Sequence, residues 1–254
     1  GSSPSSRREN PYAYDVERFE RTDPERIGYV EQARFKSPCE PPRRIALSAD
    51  GLLNQVCGKR LCVMRMDGSA AWEVGLDGSP TCVAVGGDRT ALVGFRDHVE
   101  VYGPDRRRKG VWAKPAGRPF LTGIAIGSEH VFVADSGNRI VWRCDRTGNV
   151  VGRIGAKDKS RKIPGLVLPS PHLDVELGAD GLLYLNNTGR HRIETYTLDG
   201  DLKSWWGKPS AAIEGFCGCC NPIRIALLPD GRLVTGEKGL PRVKVHKRGG
   251  ELEW

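Results

Sequence analysis

The chain repeats one short pattern five times, and this limits its fold more than any other feature. Ile45-Ala46-Leu47, Val83-Ala84-Val85, Ile124-Ala125-Ile126, Val175-Glu176-Leu177 and Ile225-Ala226-Leu227 recur at steps of 38, 41, 51 and 50 residues. A turn signal follows each, as in Ala49-Asp50-Gly51, Ala179-Asp180-Gly181 and Pro229-Asp230-Gly231. Asp-Gly between alternating hydrophobics is a strong hairpin signal. A second apolar strand comes next, for example His130 to Val133 and Leu182 to Leu185. A Gly-containing loop then carries an arginine in four units: Arg60, Arg139, Arg192 and Arg242. The second unit has Asp97-His98-Val99 there instead. A third strand, another turn and a weaker fourth strand close each unit, the last over Glu251 to Trp254.

Four short strands in about 40 residues are the signature of a propeller blade. One such sheet has two faces to bury and cannot do so alone; radial packing covers both and leaves short edges. The expected fold class is therefore all-β, a β-propeller of four-stranded blades, with five blades visible. The last unit stops at its fourth strand, so either the ring has five blades or it follows a six-bladed plan with the last blade absent or incomplete; the second is the expectation, on the family resemblance given below. Residues 1–26 read as an N-terminal extension, partly disordered, and 27–254 as the propeller. Residues 27–35 are expected to add an outer strand that staples the ring shut. Alanine at the centre of four anchors suits inner strands crowded around an axis. Glu176 breaks that rule, and a carboxylate there is costly unless paired; a salt bridge to a neighbouring blade's arginine is the expected answer.

Two segments carry a family resemblance. Asp135-Ser136-Gly137-Asn138-Arg139-Ile140-Val141-Trp142, followed by Asp145 to Asn149, resembles an NHL repeat. Asn187-Thr188-Gly189-Arg190-His191-Arg192-Ile193, followed by Leu198-Asp199-Gly200, is similar to a second, and Glu237 to Val245 is a looser one. The resemblance implies a β-propeller, usually of six blades, and leaves the activity open, because such propellers serve as protein-binding, RNA-binding and enzymatic scaffolds.

Eight cysteines sit at 39, 57, 62, 82, 144, 217, 219 and 220. Three fall in Phe216-Cys217-Gly218-Cys219-Cys220-Asn221-Pro222, in the connection leading to the fifth unit's inner strand, which arrives at the rim of the channel. Aligned on the anchors, Cys39, Cys82 and His172 reach the same level, with Glu176 slightly deeper. Thiolates suit zinc, copper(I) or iron–sulfur clusters. Cys217, Cys219 and Cys220 are therefore candidate ligands of a metal ion or Fe–S cluster, with Cys39, His172 and Glu176 as further metal ligands. Cys-x-Cys-Cys is not a standard zinc or ferredoxin spacing, so disulfides, including a vicinal Cys219–Cys220 bridge, and inert thiols stay open. Cys57, Cys62 and Cys144 read as small buried hydrophobes, with a Cys57–Cys62 bridge as the alternative.

No apolar run approaches the roughly 18 residues of a membrane helix, although the plain polar start also fits a chain whose export signal or anchor has been removed. The net charge of +8 includes Arg106 to Lys109 at a turn and Lys157 to Lys162 in a long connection. No aromatic residue interleaves with these lysines, so nucleic acid is a poor fit, and an acidic protein partner is the better one. No catalytic residue is assigned. The leading reading is a non-catalytic docking or assembly module whose face carries the lengthened connections 155–172 and 207–222. The rivals are a redox protein with a cysteine-bound cluster and a lactonase-like hydrolase holding a divalent ion through Glu176, Asn187 and Asp135.

Overall fold

Every repeat unit becomes one antiparallel sheet, in chain order. The computed structural model describes residues 21–253. The first blade comprises β1 (Arg44–Leu47), β2 (Leu53–Cys57), β3 (Arg60–Met64) and β4 (Ala70–Gly75). The second comprises β5 (Cys82–Val85), β6 (Ala91–Gly94), β7 (Val99–Tyr102) and β8 (Arg108–Val111). The third runs through β9 (Leu121–Ile126), β10 (Val131–Asp135), β11 (Ile140–Cys144) and β12 (Val150–Ile154). The fourth has β13 (Val175–Leu177), β14 (Leu183–Asn187), β15 (Arg192–Tyr196) and β16 (Leu202–Trp206). The fifth has β17 (Arg224–Leu227), β18 (Leu233–Glu237) and β19 (Arg242–His246). Its expected fourth strand is reduced to a His246–Leu252 bridge, and Trp254 lies outside the described residues. The chain is thus an all-β propeller of five blades. No helix among the described residues is long and apolar enough to cross a membrane.

Apolar residues from facing sheets fill the junctions between successive blades. Val56 and Leu61 meet Val83 and Val93; Leu92 and Val99 meet Leu121 and Ile124. Phe132 and Val141 meet Leu173 and Leu185; Tyr184 and Ile193 meet Ile225 and Leu233. Each such side chain is worth roughly 1.5–3 kcal/mol. Among the described residues no comparable cluster joins the fifth blade to the first. There Ile45 and Leu47 are 55% and 62% exposed and Val243 is 77% exposed. A cleft of about 440 Å³ opens between the two blades, reaching inward to Glu176 and Arg224.

The segment before β1 crosses this open side. Arg26, at the end of a single 3-10 turn (Pro24–Arg26), pairs with Glu214 at 3.2 Å. Thr22, Ile27 and Tyr29 share a hollow with Val243 and Val245 of β19. The Phe35 ring then covers Gly68 of the first blade. The expected stapling strand over residues 27–35 is not formed: this stretch makes no ladder and is exposed. Its position bridging two blades is nonetheless the one expected. The disorder expected of the extension falls largely on residues 1–20, outside the described part.

The motif Asp135 to Trp142 shows why its residue types recur. Asp135 ends β10 fully buried. Its carboxylate accepts from the Phe120 and Asn138 backbone N–H groups, the Asn138 side-chain amide and Trp142 Nε1. One acid therefore pins the turn, the next strand and the incoming connection. In the fourth blade Glu194 does similar work, accepting from Asn187, Arg192 and Tyr196. The divalent-ion set of Glu176, Asn187 and Asp135 consequently does not gather, because Asp135 and Asn187 are spent inside their own blades.

Candidate functional site

Side chains alternate along a strand, so the residue before each anchor and the anchor's central residue share a face. In the five inner strands the first of these positions holds Arg44, Cys82, Gly123, Asp174 and Arg224. These five form one charged level at the axis. Arg44 and Asp174, from blades one and four, meet in a bidentate pair with both N–O distances at 2.6 Å. Asp174 is 0% exposed and also accepts from the backbone N–H of Ile225 in blade five, at 3.2 Å. Its own N–H donates to Asn186 Oδ1. Gly123 makes room for this acid, since a Cβ there would stand 2.7 Å from Asp174 Oδ1.

The next level is Ala46, Ala84, Ala125, Glu176 and Ala226. Glu176 does not take the arginine partner expected of it, because Arg44 is already held by Asp174. Burial and the neighbouring Asp174 charge push its carboxyl from the ordinary 4.5 up to about 8, with Arg44 opposing them. Near neutral pH it is therefore mostly protonated. A folded-state value above the unfolded one means that the folded chain holds a proton that the unfolded chain releases. The stability contributed by Glu176 is thus full below about pH 4.5 and is lost as pH rises through about 8. Glu176→Gln is expected to flatten this dependence. Allowing for screening by water in the channel, the variant should be more stable than the parent by about 1–3 kcal/mol at pH 9 and little changed at pH 5. Thermal melts at both pH values check this; equal shifts at the two would refute it.

Arg224 has no such partner. Its Nη1 is buried with no hydrogen bond. It feels Asp174 as attraction and Arg44 as repulsion. Towards the mouth lie Lys238 and His172, whose imidazole is pushed below its ordinary range by burial and by the Lys238 and Arg224 charges. His172 Nδ1 is likewise buried and unpartnered.

The triple-cysteine loop sits beside these cations, fastened from both sides. Asn221 donates to the carbonyls of Cys217 at 2.7 Å and Lys238 at 2.8 Å, and accepts from the Lys238 N–H at 2.9 Å. Asn186 donates to Pro222 O, and Glu237 accepts from the Cys217 N–H. Gly218, at φ +72°, supplies the left-handed turn that an L side chain resists. Lys244 of β19 is buried, pairs with Glu237 at 2.7 Å and donates to the carbonyls of Ile213 and Gly215, anchoring the connection upstream. The Cys219 and Cys220 sulfurs are 3.3 Å apart, Cys219 exposed and Cys220 buried. Burial works against ionising Cys220, but its polar neighbours Ser170, Lys238 and Cys219 outweigh it and hold the thiol below its ordinary range. The hydrogen bond to Cys220 raises Cys219.

The six expected metal ligands do not assemble into one set. Cys39 is bonded to Cys57, so its sulfur is consumed in the first blade and not offered to the loop. Glu176 lies within reach of Asp174 and Arg44 instead. Among the described residues, the one grouping of three or more such side chains with all ligand atoms within 4.8 Å is Cys39, Cys57 and Cys62. The observed bridge also replaces the alternative Cys57–Cys62 pairing. Cys82 and Cys144 are buried free thiols, and Cys82 lies against Gly94. Sequence reasoning missed Arg44, Asp174, Arg224, Lys238 and Lys244. The signal for the first three was present: all three occupy the same place, one residue before an anchor.

No protein-family model and no curated protein sequence matches the chain. Solved structures of similar fold include a streptogramin B lyase, with TM-score 0.62 and 15% identity over 85% of this chain and 69% of that one. A catalytically inactive histidine-to-alanine variant of virginiamycin B lyase from Staphylococcus aureus, solved with quinupristin, gives TM-score 0.61 and 17% identity over 83% and 68%. A protein of unknown function from Bacteroides caccae gives TM-score 0.64 and 13% identity over 84% and 80%. At these identities the likeness is one of fold.

Proposed function

We propose that the chain is a non-catalytic, NHL-type propeller docking module that receives an acidic, partly apolar segment of a protein partner. The segment enters at the mouth flanked by connections 155–172 and 207–222 and lies in the cleft between blades five and one. The observation that carries this reading is Arg224, a half-buried arginine with an unpartnered Nη1 that lines an apolar-walled cleft. Pro42, Ile45, Ala226, Val234 and Val243 supply the walls. With Asp174 committed to Arg44 and Glu176 mostly protonated, the Arg224 charge is left for an incoming carboxylate. Lys238 adds positive potential at the entrance, and the His172 imidazole, held towards its neutral form, offers an unpartnered polar ring atom. In this reading the cysteine loop shapes the mouth; the cations around it disfavour a metal ion there. The NHL resemblance takes support from Asp135 and Asn187, which stand at equivalent motif positions and each accept from a backbone N–H of the incoming connection, Phe120 and Val167 respectively.

A fluorescein-labelled peptide of alternating glutamate and leucine, and its glutamine counterpart, test the proposal by anisotropy. The acidic peptide should bind, more weakly as salt rises. Arg224→Gln should weaken it about 10–100-fold, the value of a charged hydrogen bond, with the fold checked by circular dichroism. Equal binding of the glutamine peptide, or an unchanged affinity in Arg224→Gln, would sink the proposal.

A further inference from the structure

Cys39, Cys57 and Cys62 form a buried cluster of their own, apart from the apolar junctions between blades. Exposures are 0%, 1% and 2%. The hairpin of β2 and β3 presents Cys57 and Cys62, and the segment crossing the open side of the ring delivers Cys39. The bridge uses two of these sulfurs and leaves the third within 4.8 Å of both. A carboxylate stands next to Cys62, outside the 4.8 Å grouping of the three sulfurs: Glu73 Oε2 is 3.7 Å from Cys62 Sγ, and the Glu73 side chain is 59% exposed. Arg60 pairs with Glu73 at 3.3 Å.

Four-coordinate zinc binds thiolates at about 2.3 Å, which sets neighbouring sulfurs roughly 3.8 Å apart. Three sulfurs mutually within 4.8 Å can adopt that spacing with small side-chain movements once the bridge is open. We propose that Cys39, Cys57 and Cys62, when reduced, form a three-thiolate site for a thiophilic ion of the zinc class, with Glu73 as the fourth, oxygen donor on the solvent side. Opening requires a reductant. A dithiol becomes a disulfide as Cys39 and Cys57 each take up an electron and a proton; a phosphine is oxidised to its oxide with the oxygen of water. Loading then releases three thiol protons to solvent. Arg60 offsets part of the negative charge that three thiolates and Glu73 place around a dication. The device makes the anchor of the crossing segment either covalent or metal-held, according to redox state. It is independent of the docking reading, because none of its residues lines the cleft.

The full chain, reduced with a phosphine that is then removed under nitrogen, is titrated with cobalt(II) and afterwards with zinc. The expected result is one ion per chain, a near-ultraviolet thiolate-to-cobalt band and displacement by zinc. Cys62→Ser keeps the native bridge in the oxidised fold, so its folding is checked before reduction; it should bind more than tenfold more weakly. Glu73→Gln should weaken binding while keeping the thiolate band. The unreduced chain should not bind. The proposal is overturned by substoichiometric cobalt, by binding that survives Cys62→Ser, or by binding lost in Cys219→Ser/Cys220→Ser, which would assign the ion to the mouth loop.

Discussion

Asp174→Ala is expected to lower stability by about 3–5 kcal/mol, the cost of stranding a partner of a buried ion pair. Asp174 is fully buried, holds Arg44 through both oxygens, and accepts from the Ile225 N–H. It therefore joins blades one, four and five around the side of the ring that apolar packing leaves open. Removing it leaves Arg44 beside Arg224 with no anion except Glu176. Glu176 should then ionise more readily, since the Asp174 charge that opposes it is gone and Arg44 is freed. For a chain of this size the thermal midpoint should fall by roughly 6–20 °C. Replacing both partners, as in Arg44→Met with Asp174→Leu, should recover most of the loss, because the penalty lies in the unpaired charge more than in the pair's net value. Denaturant melts of the two singles and the double complete the cycle. A single-variant loss below about 1 kcal/mol would show that the ring is closed by something else.

The five blades were legible because the anchor run recurs, an apolar strand follows it, and the hairpin between them is marked by Asp-Gly or a relative of it. These are local signals that survive without knowledge of neighbours. The axis of the ring was half legible. Glu176 stood out against four alanines at the equivalent position, and its burden is real. Its partner could not be read, because pairing across a channel depends on which of two acids, two residues apart on one strand face, an arginine from a distant blade reaches first. Asp174 wins by also capturing the Ile225 N–H. The cysteines show the same limit. Their sequence spacing points to the crowded loop at 217–220, whereas the sulfurs that converge come from residues 39, 57 and 62. The hairpin register brings Cys62 opposite Gln55, one alternation from Cys57, and only the path of the preceding segment brings Cys39 to them. The stapling strand is not formed although β19 keeps most of its outer edge open: residues 27–35 reach both blades but ladder with neither.

Cys57→Ser combined with Cys62→Ser is expected to cost about 3 kcal/mol under oxidising conditions. The native bridge closes a loop with a sequence separation of 18 residues, and releasing such a loop returns about that much entropy to the unfolded chain. The bridge also fixes Cys39, and with it the segment that runs from blade five across the cleft to blade one. Cys57→Ser alone should cost less. The Cys62 and Cys39 sulfurs lie within 4.8 Å of one another, so a Cys39–Cys62 bridge can replace the lost one with a loop only a few residues longer. Cys62→Ser alone leaves the native bridge in place and should cost at most the roughly 1 kcal/mol of a small buried group. The order of stability should therefore be the parent or Cys62→Ser first, then Cys57→Ser, then the double variant. Peptide mapping of the Cys57→Ser protein should find residues 39 and 62 joined. If Cys57→Ser is already as unstable as the double variant and its residue 39 thiol is free, the third sulfur does not reach the first. The three-cysteine cluster would then lack the freedom of movement that both the alternative bridge and metal loading require.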